Sequence, residues 1–331
     1  MNDHMLKNCI LLLNNRDQIK TVFGWDSGLI HLACAGIYVA KEKEVQVSVL
    51  SYCKDLLKQK VGLFSNFKGT AKTPIISMLA VSENPEVTLE RGLLVYQLLK
   101  KEFWSSTYLP LTAMIIAQLA EPDQYEAIAA RTSRIFHLIK TEHPFLTSGE
   151  DSANCALLAL TEKSDQALIH DIESCYQLLK SKFFSSNAVQ SLSHVLAMGQ
   201  GTAEEKCRRT MQLFDGLKEA GYKYGTTYEL PTLGVLALSE EPKEKIIQEM
   251  IEINNWLSVQ KGFGFFSSVT SKQKLMYAGI IAQRDYINTD TMQSAAVNST
   301  ISLIIAQEAA MCAAIAASTA ASASASSSAQ T

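Results

Sequence analysis

"KFFSSNAVQSLSHVLAM", Lys182 to Met198, repeats the grammar of "EFWSSTYLPLTAMIIAQ", Glu102 to Gln118. Each stretch places two aromatics before two serines and then runs into small and aliphatic residues. The same signal recurs at Phe64-Ser65 in "GLFSNF", Leu146-Thr147 in "PFLTS", Gly225-Thr226 in "KYGTT" and Phe266-Ser267 in "GFFSS". A degenerate copy, "FGWDS", lies around Asp26-Ser27. The spacing is about 40 residues each time, and self-similarity at such a period marks an array of helical units that bury their faces against one another.

Each unit parses alike. After the hydroxyl comes a segment such as "TPIISMLAV", "SANCALLAL", "VQSLSHVLAM", "LPTLGVLAL" or "KLMYAGIIAQ". These are apolar nearly all round, which predicts helices of about twelve to fifteen residues buried on most sides. Turns with acidic residues, proline or glycine follow, as in "SENPE" (Ser82 to Glu86), "EPDQ" at Glu121, "GQGT" at Gly199 and "SEEPKE" at Ser239. Proline after an acidic residue suits the first turn of a helix, where its missing N–H costs nothing and carboxylates face the positive dipole end. A longer amphipathic helix comes next. Leu168, Ile172, Cys175 and Leu179 step by four, three and four, as do Ile246, Met250, Ile253 and Leu257; Cys207, Met211 and Phe214 follow suit.

The recurring Ser or Thr is read as a helix N-cap that satisfies an orphaned backbone N–H. The aromatic before it is read as a hydrophobic staple fixing the entry of the chain into the helix. Under the competing reading the aromatics form a binding stripe along one rim, carried by Trp25, Phe64, Trp104, Phe184 and Phe266.

The fold expected is therefore all-α, an array of about seven helical hairpins with a period of about 40 residues. The period does not distinguish an open α/α superhelix from a closed α/α toroid. Residues 1–20 form an N-terminal helical lead-in and 21–290 the repeat domain. Residues 291–331 form an Ala-rich helix that frays into an Ala/Ser tail, since alanine favours helix but contributes little burial.

Composition narrows the function classes. The 331-residue chain is 47% hydrophobic and 19% charged, with a net charge of −3, which suits a globular protein with a large core. Basic patches such as Lys58, Lys60, Lys68 and Lys72 read as solvated faces, so no nucleic-acid partner is expected. No segment offers about twenty lipid-compatible residues, and the start lacks a long apolar h-region; no membrane partner is expected. Seven scattered cysteines without a Cys-x-x-Cys pair fit a reducing, cytoplasmic location.

The chemistry of catalysis is not legible. "KGFGFF" (Lys261 to Phe266) lacks the third glycine and the strand of a dinucleotide loop, and there is no Gly-x-Ser-x-Gly and no zinc-spaced His/Cys set. His31 and His194 lie in apolar helices and read as hydrogen-bonded core residues. His137, His143 and His170 fall on the amphipathic helices or their ends. Glycoside cleavage wants two convergent carboxylates, whereas the acids here sit in turns such as Glu83, Glu121, Glu162, Glu240 and Glu241. Asp151 in "TSGEDSAN" is the one acid at the start of an apolar helix, and it reads as a cap. No catalytic residue, cofactor or metal is assigned.

"HPFLTSGEDSANCALLAL" followed by "IESCYQLLKSKFFSSNAVQSLSHVLAM" resembles the uncharacterised bacterial family called domain of unknown function 4003. The resemblance rests on an FLTS step at Phe145 to Ser148, Ile172-Glu173 with Tyr176, and a Leu-Ser-His-x-Leu run from Leu192 to Leu196. It extends from about Trp25 to the last repeat. Where family members tend to carry Asp-Tyr-Pro, this chain reads Asp151-Ser152-Ala153. The resemblance implies no activity and hands over no catalytic residues. The function expected is a module that binds or scaffolds a protein or peptide, with self-association through the C-terminal helix as a further contact. The rival is an α/α-toroid enzyme acting on a small or apolar substrate in a central cavity.

Overall fold

The computed structural model describes residues 1–62, 65–103, 106–264 and 269–286. Among them are fourteen α-helices and no β-strand. The odd-numbered helices are long and two-faced: α1 Asp3–Val22, α3 Val47–Lys60, α5 Pro85–Glu102, α7 Tyr125–Glu142, α9 Asp165–Leu179, α11 Ala203–Glu219 and α13 Lys243–Ser258. The even-numbered ones are short: α2 Gly28–Ala40, α4 Lys72–Val81, α6 Leu109–Leu119, α8 Ser152–Ala159, α10 Ser186–Met198, α12 Leu230–Ala237 and α14 Ser271–Ala282.

Burial separates the two sets. Every residue of α8 and α12 is buried, as are 188–198 of α10 and 30–39 of α2. On the odd helices burial follows one stripe. Leu168, Ile172, Cys175 and Leu179 are buried on α9, and Ile246, Met250, Ile253 and Leu257 on α13. The stripe of α11 runs through Cys207, Thr210, Leu213 and Leu217 rather than through Met211 and Phe214, which are half-buried. Odd helices pack on the next odd helix and even on the next even, so the even helices form an inner layer and the odd ones an outer layer. In addition α13 and α14 touch α1, and α14 touches α2. The lead-in of residues 1–20 is helix α1, packed on α2 and α3 like any other outer helix. The C-terminal segment from 291 lies outside the described residues.

Local chemistry sets the boundaries. Ser27 Oγ accepts from Ile30 N–H at 3.3 Å to start α2, and Ser185 Oγ accepts from Ala188 N–H at 3.3 Å to start α10. Elsewhere the cap opens a short turn ahead of the inner helix or falls on another hydroxyl. Ser65 caps a 3-10 turn (Asn66–Lys68) ahead of α4, and Ser148, not Thr147, caps the turn Gly149–Asp151 ahead of α8. Thr270, in a reciprocal capping box with Gln273, starts α14. Helices α2, α10 and α14 have the expected length at 13, 13 and 12 residues, whereas α4, α6, α8 and α12 are shorter at 10, 11, 8 and 8. Pro85 stands at the head of α5, with Glu86 in its first turn. At the end of α11 Gly221 takes φ +89°, which lets the Tyr222 N–H reach Leu217 O at 2.8 Å.

The far ends of the inner helices present carbonyls with no intrahelical partner. Cations from a neighbouring unit reach them. Lys43 Nζ donates to Val81 O at 2.8 Å, Arg131 Nη1 to Ala159 O at 2.9 Å, and Lys163 Nζ to Ala197 O at 2.8 Å. Each contact combines hydrogen bonding with the favourable placement of a cation at a helix C-terminus. Ser185→Ala removes one N-cap and should cost about 1 kcal/mol, lowering the urea midpoint. Ser186→Ala, on an exposed neighbour, should stay within about 0.5 kcal/mol of the parent in the same titration.

Candidate functional site: the rim at the inner-helix N-termini

The outer-to-inner loops deliver pairs of rings, and the members of each pair behave differently. The first ring is packed. Phe23 and Phe183 are buried, with Lys54 Nζ 5.2 Å from the Phe23 ring and Phe214 edge-on to Phe183 at 5.1 Å. Phe263 is buried beneath the Arg16 guanidinium at 5.3 Å. Before α12 the later ring, Tyr224, is buried and donates its hydroxyl to Glu229 O at 3.0 Å, but before α2, α8 and α10 it is not packed at all. Trp25, Phe145 and Phe184 are 101%, 99% and 102% exposed, as open as in an extended chain. The staple expected of Trp25 and Phe184 is therefore corrected: both rings stand in solvent, and the chain is extended at caps Ser27 and Ser185. Phe145 was missed as a rim residue because it follows His143, which replaces the packed ring. Its imidazole sits 4.5 Å from the Tyr176 ring. The other rim candidates, Phe64, Trp104 and Phe266, lie outside the described residues.

Beneath these rings, polar side chains tie most units to the next. Asp26 accepts from the Thr73 hydroxyl, and Asn66 Nδ2 donates to Ser106 O at 3.0 Å. The hydroxyls of Thr112 and Ser152 share a hydrogen bond at 2.8 Å, and Gln190 Nε2 donates to Thr147 Oγ1 at 2.9 Å. Asn187 donates to Glu150, and Gln273 donates to the Tyr228 hydroxyl. Between α1 and the loop before α14 lies a cleft of about 650 Å³ lined by Arg16, Lys20, Asp26, His31 and Lys261. It adjoins the Trp25 loop.

Two acid–base residues meet in this layer. Asp151 Oδ2 accepts from the Ser148 N–H at 2.9 Å, so the capping role read from sequence is present. Its other oxygen lies 3.8 Å from His194 Nδ1. His31 is a bonded core residue, Nε2 to Phe23 O at 2.8 Å. His194 is buried without a hydrogen-bond partner on either ring nitrogen, contrary to the expectation for it. Burial holds the His194 imidazole neutral, pushing its pKa down to about 3, with His143 adding to the effect. Burial pushes Asp151 up to about 7, opposed by the Ser148 N–H and reinforced by Glu150. Glu150 is itself raised by burial. Among the described residues no group of three or more His, Cys, Asp or Glu side chains is arranged to hold a metal, and no helix is long and apolar enough to cross a membrane.

The residues that carried the resemblance converge here. Residues 15–310 match the family described as "Protein of unknown function (DUF4003)". The chain belongs to the DUF4003 family. No curated protein and no solved structure matches it. In this DUF4003 chain the FLTS step, the Ile-Glu-x-x-Tyr helix and the Leu-Ser-His-x-Leu helix become spatial neighbours. His143 Nε2 meets Glu173 Oε2 at 2.8 Å and packs at a tilt against the Tyr176 ring, Thr147 is held by Gln190, and Asp151 faces His194.

The pair sets a pH dependence that is hidden until one partner is removed. Asp151, with its pKa raised, contributes stability that is full below its unfolded value near 3.8 and is lost as pH rises through about 7. His194, with its pKa lowered, contributes stability that is full above its unfolded value near 6.5 and is lost as pH falls through about 3. Between about pH 4 and 6.5 folding takes up a proton at one and releases a proton at the other, so the slopes cancel. Asp151→Asn leaves His194 uncompensated and should lose about 1.4 kcal/mol relative to the parent for each pH unit below 6.5. Urea midpoints of both proteins from pH 6.5 to 4.5 check this, and parallel profiles would contradict it.

Proposed function

We propose that the two layers close into an α/α ring and that its aromatic rim binds a protein segment presenting apolar side chains. Closure is supported by the contacts of the last hairpin with the first. The Tyr277 hydroxyl donates to Leu29 O at 3.3 Å, Arg16 Nη1 to Lys261 O at 3.2 Å, and Arg284 pairs with Glu42 at 2.9 Å. The N-terminal ammonium pairs with Glu252.

The observation that carries the binding reading is the full exposure of Trp25, Phe145 and Phe184 at matching steps of the repeat. Large aromatics left in water forgo roughly 1.5–3 kcal/mol of burial each, and such rings dominate recognition when a partner covers them. They stand on caps held rigid by the hydrogen-bonded layer below, which lowers the ordering cost of binding. A reducing compartment belongs to the same reading, as does contact between copies through the segment from Thr291; truncation after Ala309 and solution mass test the latter.

Peptides selected from a displayed library against the parent protein test the rim. Trp25→Ala, Phe145→Ala and Phe184→Ala combined should weaken them by about 100-fold or more. Replacing the exposed outer-layer Leu94, Leu138 and Leu178 with alanine should leave affinity within about threefold. Selected peptides that ignore the three rings would remove the proposal.

One observation favours a second reading, an α/α-ring enzyme acting on a small or apolar substrate. Asp151 is a buried carboxyl with its pKa near neutrality beside an unbonded imidazole, the arrangement expected of an acid–base pair. Neither residue lines the 650 Å³ cleft. Small-molecule ligands that shift the His194 ring resonances, with the three rim rings already removed, would favour this reading over the rim.

A further inference from the structure

Helices α11 and α13 lie side by side in the outer layer and run the same way. Arg209 donates to Glu241 O at one end, and the Tyr222 hydroxyl donates to Asn255 Oδ1 at 3.0 Å at the other. Between them is a groove of about 850 Å³, larger than the cleft beside Trp25. Its floor is apolar. Met211, Ile247 and Ile251 are half-buried there, and at Gly216 any side chain would run into Ile247. Arg208 and Lys243 outweigh Glu244 at the Glu241 end. Asp215 and Glu219 stand toward the other end, where Glu252 is paired with the N-terminal ammonium.

The chain leaves α14 beside the Glu241 end of this groove. The ring of Tyr286 lies 5.3 Å from Lys245 Nζ, and Lys245 bonds Glu241 at 2.9 Å. In the rhythm of the array an outer helix would come next and pack on α13. That place is taken, because α1 packs on both α13 and α14. The sequence after Tyr286 nevertheless carries an apolar stripe. Val297, Ile301, Ile304 and Ile305 have the spacing that gathers residues on one face of a helix, and Leu303 is the large residue of that run left off it. Beyond Tyr286 there is no Lys or Arg, and the acids are Asp290 and Glu308.

We infer that residues 292–305 dock as a helix in the α11–α13 groove of their own chain, with Val297, Ile301, Ile304 and Ile305 on Met211, Ile247 and Ile251. The lengths agree. Val297 to Ile305 spans about 12 Å of helix, and the groove wall from Lys243 to Glu252 about 14 Å. Residues 287–291 reach up to about 17 Å, enough to cross α13, whose diameter with side chains is about 10–12 Å. The charges agree as well. Asp290 enters at the end held by Arg208 and Lys243, while Glu308 stands about 16 Å beyond Val297, past the far end. The groove on the other side of α13, about 330 Å³, is nearer to Tyr286 but offers Met1 as its one apolar side chain among Asn2, Lys245, Gln248 and Glu249. An isoleucine stripe gains little there. Tethering favours the chain's own groove over that of a second copy, since a short linker holds the segment at a millimolar effective concentration. The contact between copies proposed above is tested on residues beyond Ala309 and is separate from this one.

Gln212, exposed on the groove edge, is replaced in the full-length protein by p-benzoylphenylalanine and illuminated, in an equal mixture of unlabelled and heavy-isotope-labelled chains. The expected adduct joins position 212 to residues 292–305, found in the tryptic fragment 285–331, with both peptides from chains of the same label. Ile301→Asp with Ile304→Asp should lower its yield about tenfold or more. Leu303→Asp, off the stripe, should leave it within about twofold. The same probe at Leu138, exposed on α7, should give no adduct with the segment. Adducts of mixed label, no adduct between position 212 and the segment, equal yields from positions 212 and 138, or equal losses from the on-stripe and off-stripe changes would each overturn the inference. The aromatic rim stands or falls separately, on the peptide selection.

Discussion

The inner helices have no face left for water, and the rest of the molecule follows from that. A helix such as α8, buried along its whole length, cannot be stable on its own. Its leucines gain roughly 1.5–3 kcal/mol each only when the inner helices on both sides and an outer helix behind are in place. Its polar groups need the same neighbours. The Ser152 hydroxyl is shared with Thr112 of the preceding unit, and the carbonyl of Ala159 is met by Arg131 from α7. Packing and polar satisfaction thus pass from unit to unit along the described residues.

The same constraint explains how the loops use their aromatic pairs. A chain arriving from an outer helix has room for one ring between layers, and Phe23, Phe183 and Phe263 take it. The next ring is turned out by the loop: Trp25 sits in a turn closed by the Asp26 N–H on Phe23 O at 3.0 Å, and Phe184 stands on a bend directly after Phe183. Trp25 and Phe184 therefore face solvent because the backbone leads them there. The exposure is a consequence of how each unit is entered, and it leaves large apolar groups on a rigid rim.

Much of the architecture was legible because it depends on local periodicity. The outer stripes through Leu168 to Leu179 and Ile246 to Leu257 and the caps at Ser27 and Ser185 are all sequence-local features. What escaped depends on register between units. Nothing in the run from Thr147 to Ser152 says that Ser148 takes the cap while Thr147 turns to Gln190 of the next unit. The meeting of Asp151 with His194 is likewise set by how one helix slides against its neighbour. Sequence spacing alone places such residues a repeat apart without saying that they touch. Phe145 was hidden for a simpler reason: a histidine stands where the packed ring does in other units.

Hydrogen–deuterium exchange along the whole chain tests the interdependence of the units most directly. If each inner helix is held from both sides and the last hairpin supports the first, the amides of α2 and α14 should exchange as slowly as those of α8. All three should then open together as denaturant is raised. Protection that is highest at α8 and fades toward α2 and α14 would describe an open stack with free ends and would contradict the account.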